Sequence, residues 1–366
     1  MLGRARRAAH LAAVNLLVLA AALLATEGAL RLFGVHFPAI PRVVFGSVLW
    51  RHDPVTGWSH VPGSQGRVDL GGPDSGHVRI NSLGFRGREV APRKGPGVVR
   101  VLALGDSFVF GIGVDEEHTF TSRLESRLRD LTGQPHEVVN MGVAGYSTDQ
   151  ELLLFRERGL ALSPDVVLLV VCDNDFEGNA QSFMYLRYYK PYFTIAADGS
   201  LLAGNLPVPR LTAGQRARAW LGQRSVLWNF VRSRDASWPP LRRLLDGFEV
   251  DVSRVSADDP VRLTYLLIRE IRDLAEGVGA RFLTVNTGER AEQTRLFVAL
   301  RRHLRGAGIA FLGLEGPLSA ARDGEPDKRW DFGKDHHWNV DAHRLAAEIV
   351  AERLAAPRGP GRPSTP

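Results

Sequence analysis

The chain has 366 residues, 44% hydrophobic and 23% charged, with a formal net charge of +6. That is an ordinary globular composition, long enough for one large domain or two small ones. A single cysteine, Cys172, excludes an internal disulfide and a cysteine-rich zinc site. Beyond the N-terminus the basic residues scatter through helical patterns (Arg269 and Arg272; Arg301, Arg302 and Arg305). Solvated helix faces explain them, and no nucleic-acid partner is expected.

Residues 1–34 stand apart. Arg4, Arg6 and Arg7 precede LAAVNLLVLAAALLA, which carries no charge. A bilayer core asks for roughly 20 apolar residues, and the segment from Ala8 to Ala25 approaches that length. The spacing predicts a signal anchor, a transmembrane helix with its arginines in the cytoplasm and the rest of the chain outside, periplasmic or extracellular. A signal peptide cleaved near Ala20-Ala21-Ala22 is the alternative. Residues 35–98, rich in Gly, Pro and polar residues, read as a linker followed by irregular β-structure.

From residue 99 strand and helix signals alternate. Val99–Leu104 is a short apolar run that fits a buried strand. Phe120, Leu124 and Leu128 recur at helical spacing, and Val138-Val139 marks the next strand. Thr148 and Glu151 read as a capping box for a helix through Phe155, and Asp165–Val171 as a further buried strand. Residues 176–256 break the alternation with Tyr185, Tyr188, Tyr189 and Tyr192 and a turn at Asp198-Gly199. They read as an insertion covering the sheet edge. The pattern resumes with a capped helix from Asp258-Asp259-Pro260 through Leu267, Ile271 and Leu274, then Phe282–Val285, a helix through Leu296, Leu300 and Leu304, Ile309–Leu312, and a last helix after Asn339. Residues 356–366 read as a disordered tail. Alternating β and α units predict a parallel sheet with helices on both faces, binding ligands beyond its carboxyl edge.

Three loops converge on that edge. Ser107 follows the first strand in LALGDSFVFGIG, Gly142 and Gly145 follow the second, and Asn174 follows the third. A serine hydroxyl needs a base to take its proton and a third group to orient that base. In DFGKDHHWNVDAH, Asp335 and His337 lie two apart, so in an extended loop they share a side while His336 faces away. Gly145 can offer a close backbone N–H and Asn174 a side-chain amide to an oxyanion. A metal site from Asp335, His336, His337 and His343 is a weaker reading without a second cluster. The glycines at 105, 111 and 113 lack the GxGxxG spacing of a dinucleotide site.

Taken together, these blocks resemble the SGNH (GDSL-type) esterase and acylhydrolase superfamily, in its membrane-anchored branch. GDSFVFGIGVDEEHTFTSRLESRL resembles the first block, NMGVAGYST the second, CDNDF the third and DHHWN the last. NSLGFRG at 81–87 resembles a segment upstream of the nucleophile in anchored members. Cys172 stands where the third block usually has glycine, and Asp-x-His replaces the commoner Asp-x-x-His. The resemblance implies a flavodoxin-like three-layer α/β/α hydrolase domain over 99–355. It implies Ser107, Asp335 and His337 as the catalytic triad, and the backbone N–H groups of Ser107 and Gly145 with the Asn174 amide as the oxyanion hole. No metal or other cofactor is implied.

The expected activity is hydrolysis of short-chain acyl esters such as O-acetyl groups through an acyl-serine, on an acyl ester or acylated glycan. An O-acyltransferase acting on a cell-surface polysaccharide would use the same residues, with Trp338 and the tyrosines of 183–193 as its acceptor surface. A non-catalytic glycan-binding module is the third reading.

Overall fold

In the computed structural model the described residues are 2–35, 48–69, 75–184, 188–233, 258–287, 294–332 and 336–356. The expected tail, beyond Ala356, lies outside them, as do parts of the 35–98 and 176–256 segments. The N-terminal segment is one helix, α1 (Leu2–Leu32). Its stretch Ala9–Leu32 is long and apolar enough to cross a membrane. Two antiparallel hairpins follow, β1–β2 (Trp50–Asp53, Gly57–His60) and β3–β4 (Gln65–Asp69, Ser75–Arg79).

The apolar run after Gly97 is β5 (Val99–Leu104). A single helical turn, α2 (Ser107–Phe110), leads to α3 (Phe120–Thr132), which buries Phe120, Leu124 and Leu128 as their spacing requires. Next come β6 (His136–Asn140), α4 (Thr148–Leu154) and β7 (Val166–Val171). The expected Thr148–Glu151 capping box is displaced by one residue. Ser147 is the N-cap, its N–H donates to the Gln150 amide oxygen at 3.3 Å, and Glu151 turns into the core instead.

The described part of the insertion contains α5 (Asp175–Gly178), the short pair β8 (Phe183–Met184) and β9 (Tyr188–Tyr189), and the hairpin β10–β11 (Tyr192–Ile195, Leu201–Gly204) around Asp198-Gly199. Two helices end it, α6 (Ala213–Arg224) and α7 (Val226–Ser233). Alternation resumes with α8 (Pro260–Gly277), β12 (Arg281–Asn286), α9 (Thr294–Gly306), β13 (Phe311–Leu312), α10 (Glu315–Gly324) and α11 (Val340–Ala355). Asp259 caps α8 through the Val261 N–H, and Asn339 caps α11 through two N–H groups, those of Asp341 and Ala342.

The five longer-range strands form one sheet in the order β13-β12-β7-β5-β6, every neighbouring pair parallel. This is the doubly wound, flavodoxin-like order, in which the order of winding reverses between β5 and β7. Alternate residues of β5 serve opposite faces. Val101 and Ala103 join a core with Phe120, Leu124 and Ala346 of α3 and α11, while Leu102 and Leu104 join Leu152, Leu267 and Leu300 of α4, α8 and α9. The result is the expected three-layer α/β/α arrangement.

Contacts divide the chain into two units. One holds α1 with α6 and α7, and the other holds the sheet, its helices, the hairpins and residues 188–210. The insertion at 176–256 is thus split between them.

Candidate active site

Ser107 ends the loop after β5, at the carboxyl edge beside the point where strand order reverses. The preceding Asp106 is wholly buried, and its carboxylate caps α2 by accepting the Phe108 N–H at 2.9 Å. Its second oxygen lies 3.4 Å from both the Ser107 Oγ and the Asn174 Nδ2. Burial raises its pKa to about 6, against the hydrogen bonds from Phe108 and Asn174 that favour the charged form. One carboxyl therefore links two of the residues that the sequence singled out. Nothing in the GDS motif read alone had assigned it that part.

The Nε2 of His337 lies 2.7 Å from the Ser107 Oγ, 230 residues apart in the chain. Burial lowers the imidazole pKa to about 4, so at neutral pH it is an uncharged base. Its ring packs 4.9 Å from that of Phe108, and its carbonyl accepts the Phe332 N–H at 3.2 Å. Asp331 and Trp338 bridge beside it.

The extended-loop argument does not describe this segment. His336 has φ +60°, a left-handed residue, and its exposed ring lies 3.9 Å from the Asp331 carboxylate. The two histidines diverge because of that turn in the backbone. Asp335 lies outside the described residues. Trp338, expected at an acceptor surface, is 1% exposed and packs on Phe108, Phe120 and His343. Its large apolar ring fills the core beneath the base. His343 is buried as well, where its Nδ1 accepts the Phe120 N–H at 3.1 Å.

The loop bearing Gly145 is laced to the turn that carries Ser107. Asn140 accepts the Gly142 N–H at 3.0 Å and donates to the Val109 carbonyl at 2.8 Å, while the Val143 N–H reaches the Gly105 carbonyl at 3.1 Å. A Cβ on Gly142 would sit 2.3 Å from the Phe110 nitrogen, so only glycine permits this approach. Gly145 itself has φ +82°. The Trp58 indole donates to the Ala144 carbonyl at 3.1 Å and the Tyr146 hydroxyl to Thr56 Oγ1 at 2.7 Å, which brings β1–β2 into the support of this loop.

The sequence reading gave no role to Lys190, Asp149 or Asp175. The wholly buried Lys190 ammonium donates to the Asp149 carboxylate and to the carbonyls of Gly178 (2.9 Å), Pro191 (3.0 Å) and Gln181 (3.3 Å). It joins the start of α4, after Gly145, to the segment after Asn174. Burial pushes the Lys190 pKa down and that of Asp149 up, and each partner's charge opposes the shift. Glu151 and Asp175 are wholly buried nearby, pushed well above the usual carboxylate range by burial first and then by neighbouring carboxyls. Arg86 of NSLGFRG donates to the carbonyls of Phe110 (2.7 Å), Gly111 (2.5 Å) and Val114 (2.6 Å), tying down the end of α2. The motif had drawn attention to it without a role. Cys172, 2% exposed, follows β7 and gives its N–H to Asp175 at 2.7 Å.

A doubly wound sheet with a serine and a neutral imidazole in contact at its carboxyl edge is the arrangement of an α/β serine hydrolase. The GDSL-like Lipase/Acylhydrolase family matches residues 103–345, and the chain belongs to that family. Among solved structures, it is similar to the acetyl xylan esterase AlAXEase, with 13% identity over 70% of this chain and 100% of that one, at a TM-score of 0.41. A lipase/acylhydrolase from Enterococcus faecalis shows 10% identity over 70% and 95%, at 0.39. A catalytic mutant of an acetylxylan esterase from Geobacillus stearothermophilus shows 11% over 70% and 94%, at 0.40. No curated protein sequence matches the chain.

Proposed function

We propose that the protein is a membrane-anchored, extracytoplasmic esterase that cleaves short-chain acyl esters, O-acetyl groups among them, through an acyl-serine. The 2.7 Å contact between Ser107 Oγ and His337 Nε2 carries this reading. His337 takes the hydroxyl proton as Ser107 attacks the ester carbonyl carbon, with Asp335 orienting the imidazole. The N–H groups of Ser107 and Gly145 and the Asn174 amide receive the oxyanion. Collapse returns the proton to the leaving alcohol and leaves an acyl-serine. Water, deprotonated by His337, then releases the carboxylic acid and restores the serine. The anchor rests on the uncharged stretch of α1 and the arginines before it.

The test uses the full-length protein in detergent with a fluorophosphonate probe and p-nitrophenyl esters of increasing chain length. Labelling should fall on Ser107 alone, and Ser107→Ala should abolish it while lowering ester turnover by several orders of magnitude. Activity should be highest on the acetate. Labelling that survives Ser107→Ala would end the proposal. Turnover that requires an added oligosaccharide, with acylated glycan as product, would replace hydrolysis by transfer.

A further inference from the structure

Two charged side chains in the last turns of α1 hold the ends of two other helices. The Glu27 carboxylate accepts the N–H groups of Val226 and Leu227, both at 2.9 Å, and the Ser225 hydroxyl at 2.8 Å. These are the first free donors of α7, so a negative charge sits at its N-terminus. Arg31 pairs with Glu27 at 2.7 Å and donates to the Arg224 carbonyl, at the C-terminal end of α6. The elbow between α6 and α7 is thereby fastened to one level of α1.

That level can be placed. Residues 8–26 contain no Asp, Glu, Lys or Arg, between Arg7 and Glu27. With about 20 helical residues crossing about 30 Å of hydrocarbon, a span entered after Arg7 leaves it at Glu27 and Gly28. The elbow therefore meets α1 at the outer boundary of the bilayer. Its composition suits that boundary. α6 contains Arg216, Arg218 and Arg224 and no acidic residue, and Trp220 is 55% exposed with the Arg224 guanidinium 5.3 Å from its ring centre. An exposed indole among arginines fits the interface, where the ring lies at headgroup depth and the guanidinium groups meet lipid phosphate. Glu27 itself is tolerable there because three donors and Arg31 satisfy it.

We infer that α6 and α7 form an interfacial collar around the outer end of α1, lying in the headgroup layer against anionic phospholipid. This rests on the reading of α1 as a membrane span.

The experiment places a nitroxide on single cysteines of the full-length Cys172→Ala protein in phosphatidylcholine vesicles, with and without phosphatidylglycerol. Collisions with oxygen and with a water-soluble nickel chelate then report depth. The sites are Ala217→Cys, which leaves Trp220 in place on α6, Leu17→Cys in mid-span, and Leu202→Cys, an exposed reference on β11. With phosphatidylglycerol present, chelate collisions at 217 should be several-fold fewer than at 202, and the protection should weaken in pure phosphatidylcholine. Adding Glu27→Gln should return 217 toward the value at 202. Equal chelate access at 217 and 202, with 17 buried in hydrocarbon, would overturn the collar and leave the span standing. Chelate access at 17 would remove the span, and the collar with it.

Discussion

His337 sets the chemistry at the scale of a single residue. An imidazole in water is half protonated near pH 6.5, whereas burial lowers that of His337 to about 4. The base form thus persists well into acid, and kcat/KM should hold on acidification until the pH approaches about 4. A pH–rate profile on p-nitrophenyl acetate measures this, and an acid limb centred near 6.5 would contradict the burial argument. Its neighbour should behave differently. His336 is exposed and turned away, so His336→Ala should retain most activity while His337→Ala loses several orders of magnitude. Equal losses from the two variants would mean that the loop moves on substrate binding.

Among the elements, the loops after β6 and β7 matter most, and Lys190 is where they meet. Removing one partner of a buried ion pair strands the other charge and costs about 3–5 kcal/mol. Lys190→Met should therefore destabilise the protein by about that amount in urea titration. Adding Asp149→Asn should recover part of the loss, because an amide tolerates burial without a cation. If the double variant is no more stable than Lys190→Met alone, the pair is not the source of the effect. Surviving Lys190→Met protein should also show lower kcat, since the segments carrying Gly145 and Asn174 lose their common tether.

At the scale of the whole molecule, buried titratable groups shape stability against pH from both sides. His60, His337 and His343 have pKa values lowered by burial to about 4, 4 and 3. Between 6.5 and those values the unfolded chain binds more protons than the folded one. Their contribution is therefore complete above 6.5 and is lost as pH falls through the folded values. Asp106, raised to about 6, works the other way, as do Glu151 and Asp175. Their contribution is complete below the ordinary carboxylate values and is lost as pH rises through the folded ones. Thermal midpoints followed across pH should trace a dome. His343→Asn should flatten its acid limb by up to about 1.4 kcal/mol per pH unit, and Glu151→Gln its alkaline limb. Variants that shift the whole curve without changing either slope would show that these groups do not titrate on unfolding.

What could be read without coordinates was local. Continuous apolar runs mark β5 and β7 because a strand covered by helices buries both faces, and 3.6-period patterns mark α3 and α8 because a helix against the sheet buries one. Caps such as Asp259 and Asn339 announce themselves through their own backbone. The blocks around Ser107 and Asn174 were legible as short motifs at strand ends, and that around His337 as one in the loop before the last helix. The route to His337 through an extended loop was not sound, since the left-handed His336 does the turning. What tertiary structure alone decided depends on partners distant in the chain. Lys190 meets Asp149 across 41 residues, and Glu27 meets Leu227 across 200. Trp338 is core rather than surface because Phe108, Phe120 and His343 close over it. A charged or aromatic side chain has no burial of its own. Whether it is solvated, paired or packed is settled only when the fold supplies its neighbours.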